Sequence, residues 1–214
     1  DAISNAISKF SVIDDAIGFT YTFEGQNFYT ITFPTANKTF TISEILSKNG
    51  WFELSSGTDD GKWQASSVIS AYGKNYAADS DNGNVYLLDL DTYTNNGEAL
   101  QRVRVSSNID ARLVGGSIGD AVSMSSLTIS METGVGVVAG QGDNPRIIVE
   151  ASFDGGRTFS AGAWPRVGRL GEFVLKVKWD NMRTFYDCML RISSTDPVNY
   201  SVYGATIDLK LAGK

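Results

Sequence analysis

Ala151-Ser152-Phe153-Asp154-Gly155-Gly156-Arg157-Thr158-Phe159-Ser160 is the stretch that decides the fold class. Ser152, Asp154, Gly156, Thr158 and Phe159 fit the Asp-box pattern S-x-D-x-G-x-T-aromatic. A short Ser or Asp side chain can accept from backbone N–H groups a few residues on, and a glycine supplies the positive φ of a tight turn. The aromatic then packs under the turn. The pattern therefore predicts a β-hairpin turn in an all-β protein, with these five residues as its structural parts. It carries no chemistry of its own.

The segments around it read as strands. Downstream, Phe173-Val-Leu-Lys-Val-Lys-Trp179 places Phe173, Leu175, Val177 and Trp179 on one face and Glu172, Lys176 and Lys178 on the other. That alternation predicts an antiparallel strand with one wet face. Ser126–Ser130, Arg146–Glu150, Met189–Ile192 and Tyr203–Leu211 are further strand candidates. Residues 113–214 are thus expected to form a β-sandwich-like region carrying one Asp-box hairpin. Ala111–Asp120, with Gly115, Gly116 and Gly119, reads as the linker into it.

Upstream, residues 19–112 break into short strands punctuated by turn signals. Phe19–Phe23, Phe28–Phe33, Lys38–Ile42 and Trp51–Leu54 form a first set, with turns at Glu24–Asn27 and Lys48–Gly50. Ala65–Tyr72, Tyr76–Asp79, Val85–Asp89 and Ala99–Val105 form a second, with turns at Gly73–Asn75, Asn82-Gly83 and Asn95–Gly97. Gly25-Gln-Asn-Phe28 recurs as Gly73-Lys-Asn-Tyr76. That spacing suits propeller blades of about 50 residues. Two blades cannot close a ring, so the remainder of any propeller would lie outside these residues. Residues 1–18, with Ala2-Ile3, Ala6-Ile7 and Phe10, read as a lead-in segment, a short amphipathic helix or a turn. The expected architecture is all-β: antiparallel propeller-type blades, then the sandwich.

Composition narrows the function classes. The 214 residues contain no histidine and one cysteine, Cys188. The missing histidine removes the commonest general base and zinc ligand. A single cysteine excludes an internal disulfide, and its place in the apolar run Phe185–Ile192 points to a core thiol. A net charge of −6 argues against a bulk nucleic-acid patch. The chain shows no long apolar run to span a membrane and no signal peptide. It begins at Asp1 rather than Met, which suits a processed product or a fragment. Without a secretory signal, the sequons at Asn37 and Asn199 read as coincidence.

Three motifs suggest chemistry and fail on context. Gly134-Val-Gly136-Val-Val-Ala139 matches a dinucleotide fingerprint, but the Gly140–Pro145 stretch that follows cannot be its helix. Asp79-Ser-Asp81-Asn-Gly83 begins like a calcium loop, yet Gly83 is fifth rather than sixth, and Leu90 stands at the twelfth position. A sialidase-like glycosidase would need an arginine cluster and a nucleophilic tyrosine, and nothing gathers Arg102, Arg104, Arg112 or Arg146 around one. The reading therefore assigns no catalytic, cofactor or metal residues. Trp51, Trp63 and Trp179 read as core, and Trp164, beside Pro165 in a loop, as an exposed interface anchor.

Several stretches taken in order resemble the packaged-DNA stabilisation proteins, also called tail hub or tail accessory proteins, of short-tailed bacteriophages. They are Gly25–Pro34 with Lys38–Phe40, Gly50–Leu54 with Gly61–Gln64, and Gly73–Tyr76 with Asp79–Asp89. Asp91–Gly97 with Arg102–Arg104, Glu132–Gly136, Asn144-Pro145, Ser152–Phe159, Gly168–Gly171, Trp179 and Ser194–Pro197 complete the series. Phe40 and Phe159 stand where the family tends to have Trp, and Gln26-Asn27 where a Gly-His pair is common. Family members are longer, and the likeness is to their C-terminal part.

The resemblance implies a structural virion protein, made in the bacterial host cytoplasm and carried in the phage tail. Such proteins form a ring at the portal vertex, usually a hexamer, and prevent packaged DNA from leaking. The implied partners are portal or adaptor ring proteins, tail spike or fibre proteins and the plug. Packaged DNA would pass through without specific binding, past a wall of like charge. The alternative classes are a carbohydrate-binding β module and, behind it, a sialidase-like glycosidase.

Overall fold

A computed structural model describes residues 2–43, 45, 50–160, 162–180 and 183–213. The chain divides into two compact units, Asp1–Leu100 and Gln101–Lys214.

The first unit opens with a short helix, α1 (Ala2–Ile7). Strands β1 (Ile17–Phe23), β2 (Gln26–Phe33), β3 (Lys38–Ser43) and β4 (Phe52–Leu54) follow and pair in sequence order as one antiparallel sheet. A second sheet is β5 (Ala65–Ala71), β6 (Lys74–Asp79) and β7 (Val85–Leu88). A small ladder joins β8 (Thr94–Asn95) to β9 (Glu98–Ala99). Among the described residues no closed propeller is formed.

The recurring Gly-x-Asn signal has a physical basis. Glu24-Gly25, Tyr72-Gly73 and Asn96-Gly97 each place two successive residues at positive φ, between 48° and 88°. Each pair joins two strands directly. This is the backbone of a two-residue hairpin whose twist matches its strands. The two copies of the repeat add the same side-chain bond. Thr22 Oγ1 donates to Asn27 Oδ1 across the first hairpin, and Ser70 Oγ donates to Asn75 Oδ1 across the second. The Asn82-Gly83 turn differs from expectation. Gly83 is not at positive φ, and the β6–β7 connection is built on Asp79. Its Oδ1 accepts from the N–H groups of Asp81 and Asn82, and its Oδ2 from Asn82 Nδ2. The Lys48-Asn49 part of the expected turn before Gly50 lies outside the described residues.

Burial in the first sheet runs against simple hydropathy. Thr30, Thr32, Thr39 and Thr41 are all buried. Thr30 faces Thr41 and Thr32 faces Thr39 in the β2–β3 register, and each pair bonds hydroxyl to hydroxyl at 2.9 Å. Trp63 N–H donates to Thr39 Oγ1 at 3.0 Å. Pairing removes the cost of burying a bare hydroxyl. On the opposite face Phe33 and Phe40 are buried, and Phe10 from the lead-in lies 5.2 and 6.4 Å from their ring centres.

The second unit contains β10 (Arg102–Val105), β11 (Ile109–Asp110), a 3-10 turn at Ala111–Val114, β12 (Val122–Met131) and β13 (Ile148–Ser152). Then come β14 (Val177–Asp180), β15 (Thr184–Phe185), β16 (Asp187–Ser194) and β17 (Val202–Leu211). β16 is the centre of one sheet, pairing with β13, β10 and β11. β12 is the centre of the other, pairing with β17, β14 and β15. The two sheets enclose one core that includes Val122, Met124, Leu127, Ile129, Val149, Val177, Cys188 and Leu190. This is a β-sandwich. Arg102–Val105 and Ile109–Asp110, read from sequence with the first region, hydrogen-bond into the sandwich through β16.

β12 shows how the sequence sets the geometry. Val122 and Met124 are buried two apart, then Leu127, Ile129 and Met131 two apart, with a three-residue step between Met124 and Leu127. A strict period of two would turn either the first two or the last three of these residues outward. The register against β17 shifts between Met124 and Ser126, so a bulge at Ser125 absorbs the extra residue. Ser125 Oγ donates to the Asp208 carboxylate across that bulge.

Phe173–Trp179 corrects the sequence reading. Only Val177–Asp180 is strand, while Phe173 and Val174 are exposed. Gly171 turns the chain at φ 85°, and Thr133 Oγ1 donates to the Phe173 carbonyl. The segment is thereby held as a loop over Gly134.

Candidate functional site

The Asp154 loop starts at the end of β13. Ala151 and Ser160 close its base, with the Ser160 N–H donating to the Ala151 carbonyl at 2.9 Å. Ser152 is buried, and its Oγ accepts from the Gly156 N–H at 2.9 Å and donates to Asp154 Oδ1 at 2.7 Å. Asp154 Oδ1 also accepts from the N–H groups of Arg157 and Thr158, and Oδ2 from the Thr158 hydroxyl at 2.6 Å. Gly155 and Gly156 both sit at positive φ. Phe159 is half-buried beneath the Arg191 guanidinium, 4.1 Å from its ring centre. Arg191 in turn donates to Glu150.

The Thr158 hydroxyl, the Thr158 N–H and the Ser152 hydroxyl together hold the Asp154 carboxyl well below its ordinary value of 3.8. A depressed folded value stabilises the protein above the unfolded value, and that contribution disappears as pH falls through the folded one. Asp154→Asn is therefore expected to lower the melting temperature near pH 7, and the gap to the parent should narrow markedly by about pH 2. Parallel thermal melts at the two pH values check this.

Past the loop, residues 163–167 run back along β13. Ala163 and Val149 exchange N–H···O bonds of 2.9 Å, Ile147 N–H donates to the Pro165 carbonyl, and Val167 N–H donates to the Pro145 carbonyl. Gly162 makes this approach possible, because a Cβ there would sit 2.7 Å from Ile148. Trp164 projects outward and is 57% exposed. It lines a cleft of about 280 Å³ together with Arg146, Ile148, Asp143 and Asp196. Asp196 Oδ2 accepts from the Arg146 backbone N–H at 2.8 Å, and the Asp196 carbonyl accepts from Arg102 Nη1 at 3.1 Å.

The other tryptophans are half-buried. Trp51 meets Tyr29 edge-on, Trp63 packs with Phe19 and Tyr21, and Trp179 packs against the sandwich core. The turn around Asn95–Gly97 is bound into its own unit, with Asn95 Nδ2 donating to Gln64.

The tempting motifs have structural occupations. Gly136 allows a close backbone crossing, since a Cβ there would lie 2.8 Å from the Asp143 carbonyl and 3.0 Å from Arg169 Cα. Asp79 is spent on its own turn, as described above. Arg112 is committed to Asp110 through its guanidinium. No group of three or more His, Cys, Asp or Glu residues that could hold a metal occurs among the described residues. No helix among them is long and apolar enough to cross a membrane.

Cys188 is 1% exposed in the sandwich core. Burial, with Asp187 adding to it, pushes its thiol up to about 11. The folded protein is expected to resist a thiol reagent at about pH 8 and to react fully in denaturant. Timed labelling with and without guanidinium measures this.

Comparison with known families bears on the sandwich. Residues 116–210 match the family model described as "Bacteriophage P22 Gp10, beta-sandwich". The matched span covers β12 to β16 and nearly all of β17, and β10 and β11 of the β16 sheet lie before it. No curated protein matches the chain.

Proposed function

We propose that this chain is part of a structural protein of a short-tailed phage virion, a tail hub that closes the portal vertex. In this reading it retains packaged DNA and docks other tail proteins. One observation carries it: the likeness of residues 116–210 to the P22 Gp10 β-sandwich, a span that lies within one folded unit. The ordered resemblance of stretches before residue 116 extends the same reading to the first unit. Its two antiparallel sheets, β1–β4 and β5–β7, are read as blades of a propeller completed by chain outside these residues.

The arrangement suits a structural part. The polar side chains of the two strongest motifs, Asp79 and Asp154, are saturated by their own turns. Such turns make stiff loops on a rigid scaffold, and loops are where partners dock. The partners in this reading are the portal or adaptor ring, the spike or fibre and the plug, met by a homo-oligomeric ring, a hexamer, through which DNA passes unbound. The net charge of −6 favours sliding over adhesion. A channel face rich in Lys and Arg would contradict this. Trp164 is the exposed tryptophan of the second unit.

Quantitative mass spectrometry of purified virions from the phage encoding the chain tests the proposal. The expected result is the parent protein at a fixed copy number per particle, consistent with one ring. Its absence from virions that are complete and infectious would overturn it.

A further inference from the structure

The cleft beside Trp164 has features that protein docking does not require. Trp164 and Ile148 supply its large apolar side chains, and Arg146, Asp143, Asp196 and Asn144 are among the polar residues that line it. Arg146 uses only its backbone N–H and carbonyl, on Asp196 and Ser194, and its exposed guanidinium has no partner among the described residues. Asp196 uses Oδ2 on that N–H and leaves Oδ1 open. Arg146 and Asp196 therefore bring an uncommitted donor and an uncommitted acceptor to one small cleft that Trp164 also lines.

Ligand classes can be separated on these grounds. An added peptide strand would need free backbone groups along the β13 edge. That edge is already consumed by the bonds of Ile147 and Val149 to residues 163–165. Phosphate-bearing ligands meet two carboxylates, Asp143 and Asp196, against one guanidinium. The volume, about 280 Å³, lies just below the usual range for drug-sized ligands. A pyranose ring fits that size. Its C–H face is apolar enough to stack on indole, and each of its hydroxyls both donates and accepts. Adjacent hydroxyls can thus bridge Arg146 and Asp196.

We propose that the Trp164–Arg146–Asp196 cleft binds a neutral hexopyranose unit of a glycan. The site stands on the geometry of the second unit alone and does not depend on the virion reading.

The test uses the full chain, with methyl glycosides of glucose, galactose, mannose and rhamnose as probes. The Trp164 indole N–H resonance is followed during each titration. Binding is expected to be weak, with Kd of about 1 mM. At least one glycoside should shift that resonance saturably. Trp164→Ala and Arg146→Ala should each weaken binding at least about tenfold, read from the other shifted amides, and Trp164→Phe should retain it. Both positions are exposed, and an unchanged amide spectrum away from the cleft verifies the fold of each variant. No saturable shift with any glycoside at about 50 mM, far above the expected Kd, would overturn the proposal. So would a shift that survives Trp164→Ala. If the glycosides are inert while Trp164→Ala abolishes binding to phage particles, the cleft is a protein-docking site instead.

Discussion

Leu127→Ala is expected to destabilise the sandwich by about 2–5 kcal/mol. Leu127 is 1% exposed, near the middle of β12, the strand that pairs with β14, β15 and β17. Truncation removes buried methyl groups and leaves a cavity lined by residues that belong to two sheets. Such walls relax poorly, because each is pinned by its own ladder. The effect is a large fraction of the stability of a domain this size. Denaturant titration followed by Trp179, which packs against the same core, reads it out. Leu127→Met serves as the control, since it approximately conserves volume and should cost under about 1.5 kcal/mol.

Gly136→Ala is the second large effect, for a different reason. The glycine lacks positive φ, so backbone freedom is not the issue. Space is. An added Cβ would meet the Asp143 carbonyl at 2.8 Å, Arg169 Cα at 3.0 Å and Leu170 N at 3.0 Å, all backbone atoms. No rotamer change relieves contact with backbone, so two chain segments must separate. A loss of about 1–3 kcal/mol is expected. Hydrogen exchange should show faster opening of the Val137 N–H, which donates to the Gly142 carbonyl at this crossing. Gly140→Ala is also expected to cost stability, because its φ of +89° disfavours a side chain. Its added Cβ would meet nothing within 4 Å, so the Val137–Gly142 bond should stay protected. Loss of that protection in Gly136→Ala, set against its retention in Gly140→Ala, separates close approach from backbone strain.

These two cases show which parts of the fold were readable in advance. All-β architecture and most strands follow from period-two alternation and turn residues, which are local properties. The repeated Gly25 and Gly73 turns were visible because a two-residue hairpin demands a special backbone. The bulge at Ser125 was not read: the expected strand began at Ser126, and the three-residue step from Met124 to Leu127 acquires its meaning from the register against β17. Phe173 misled because alternation alone cannot tell a strand from a loop whose carbonyl is captured by Thr133. The Thr30–Thr41 layer escaped for the opposite reason. Threonine reads as a surface residue, and only the cross-strand register reveals that each hydroxyl meets another. Arg102–Val105 looked like the last strand of the first region, since sequence neighbours usually pair, but its partner is β16, far along the chain.

The site was legible in pieces. Trp164 stood out as a tryptophan beside proline in a loop, and it is exposed. Arg146 and Asp196 did not stand out. They lie 50 residues apart, and the bond between them forms only when the end of β16 reaches the start of β13. A pattern search along the chain contains no signal for that meeting.

If the proposed tail-hub function holds, the protein should co-sediment with DNA-filled, tailless heads of its source phage. Saturable binding at a few copies per head, with slower release of packaged DNA, is expected. Failure of the folded protein to bind such heads, or binding that leaves DNA release unchanged, would overturn the tail-hub reading.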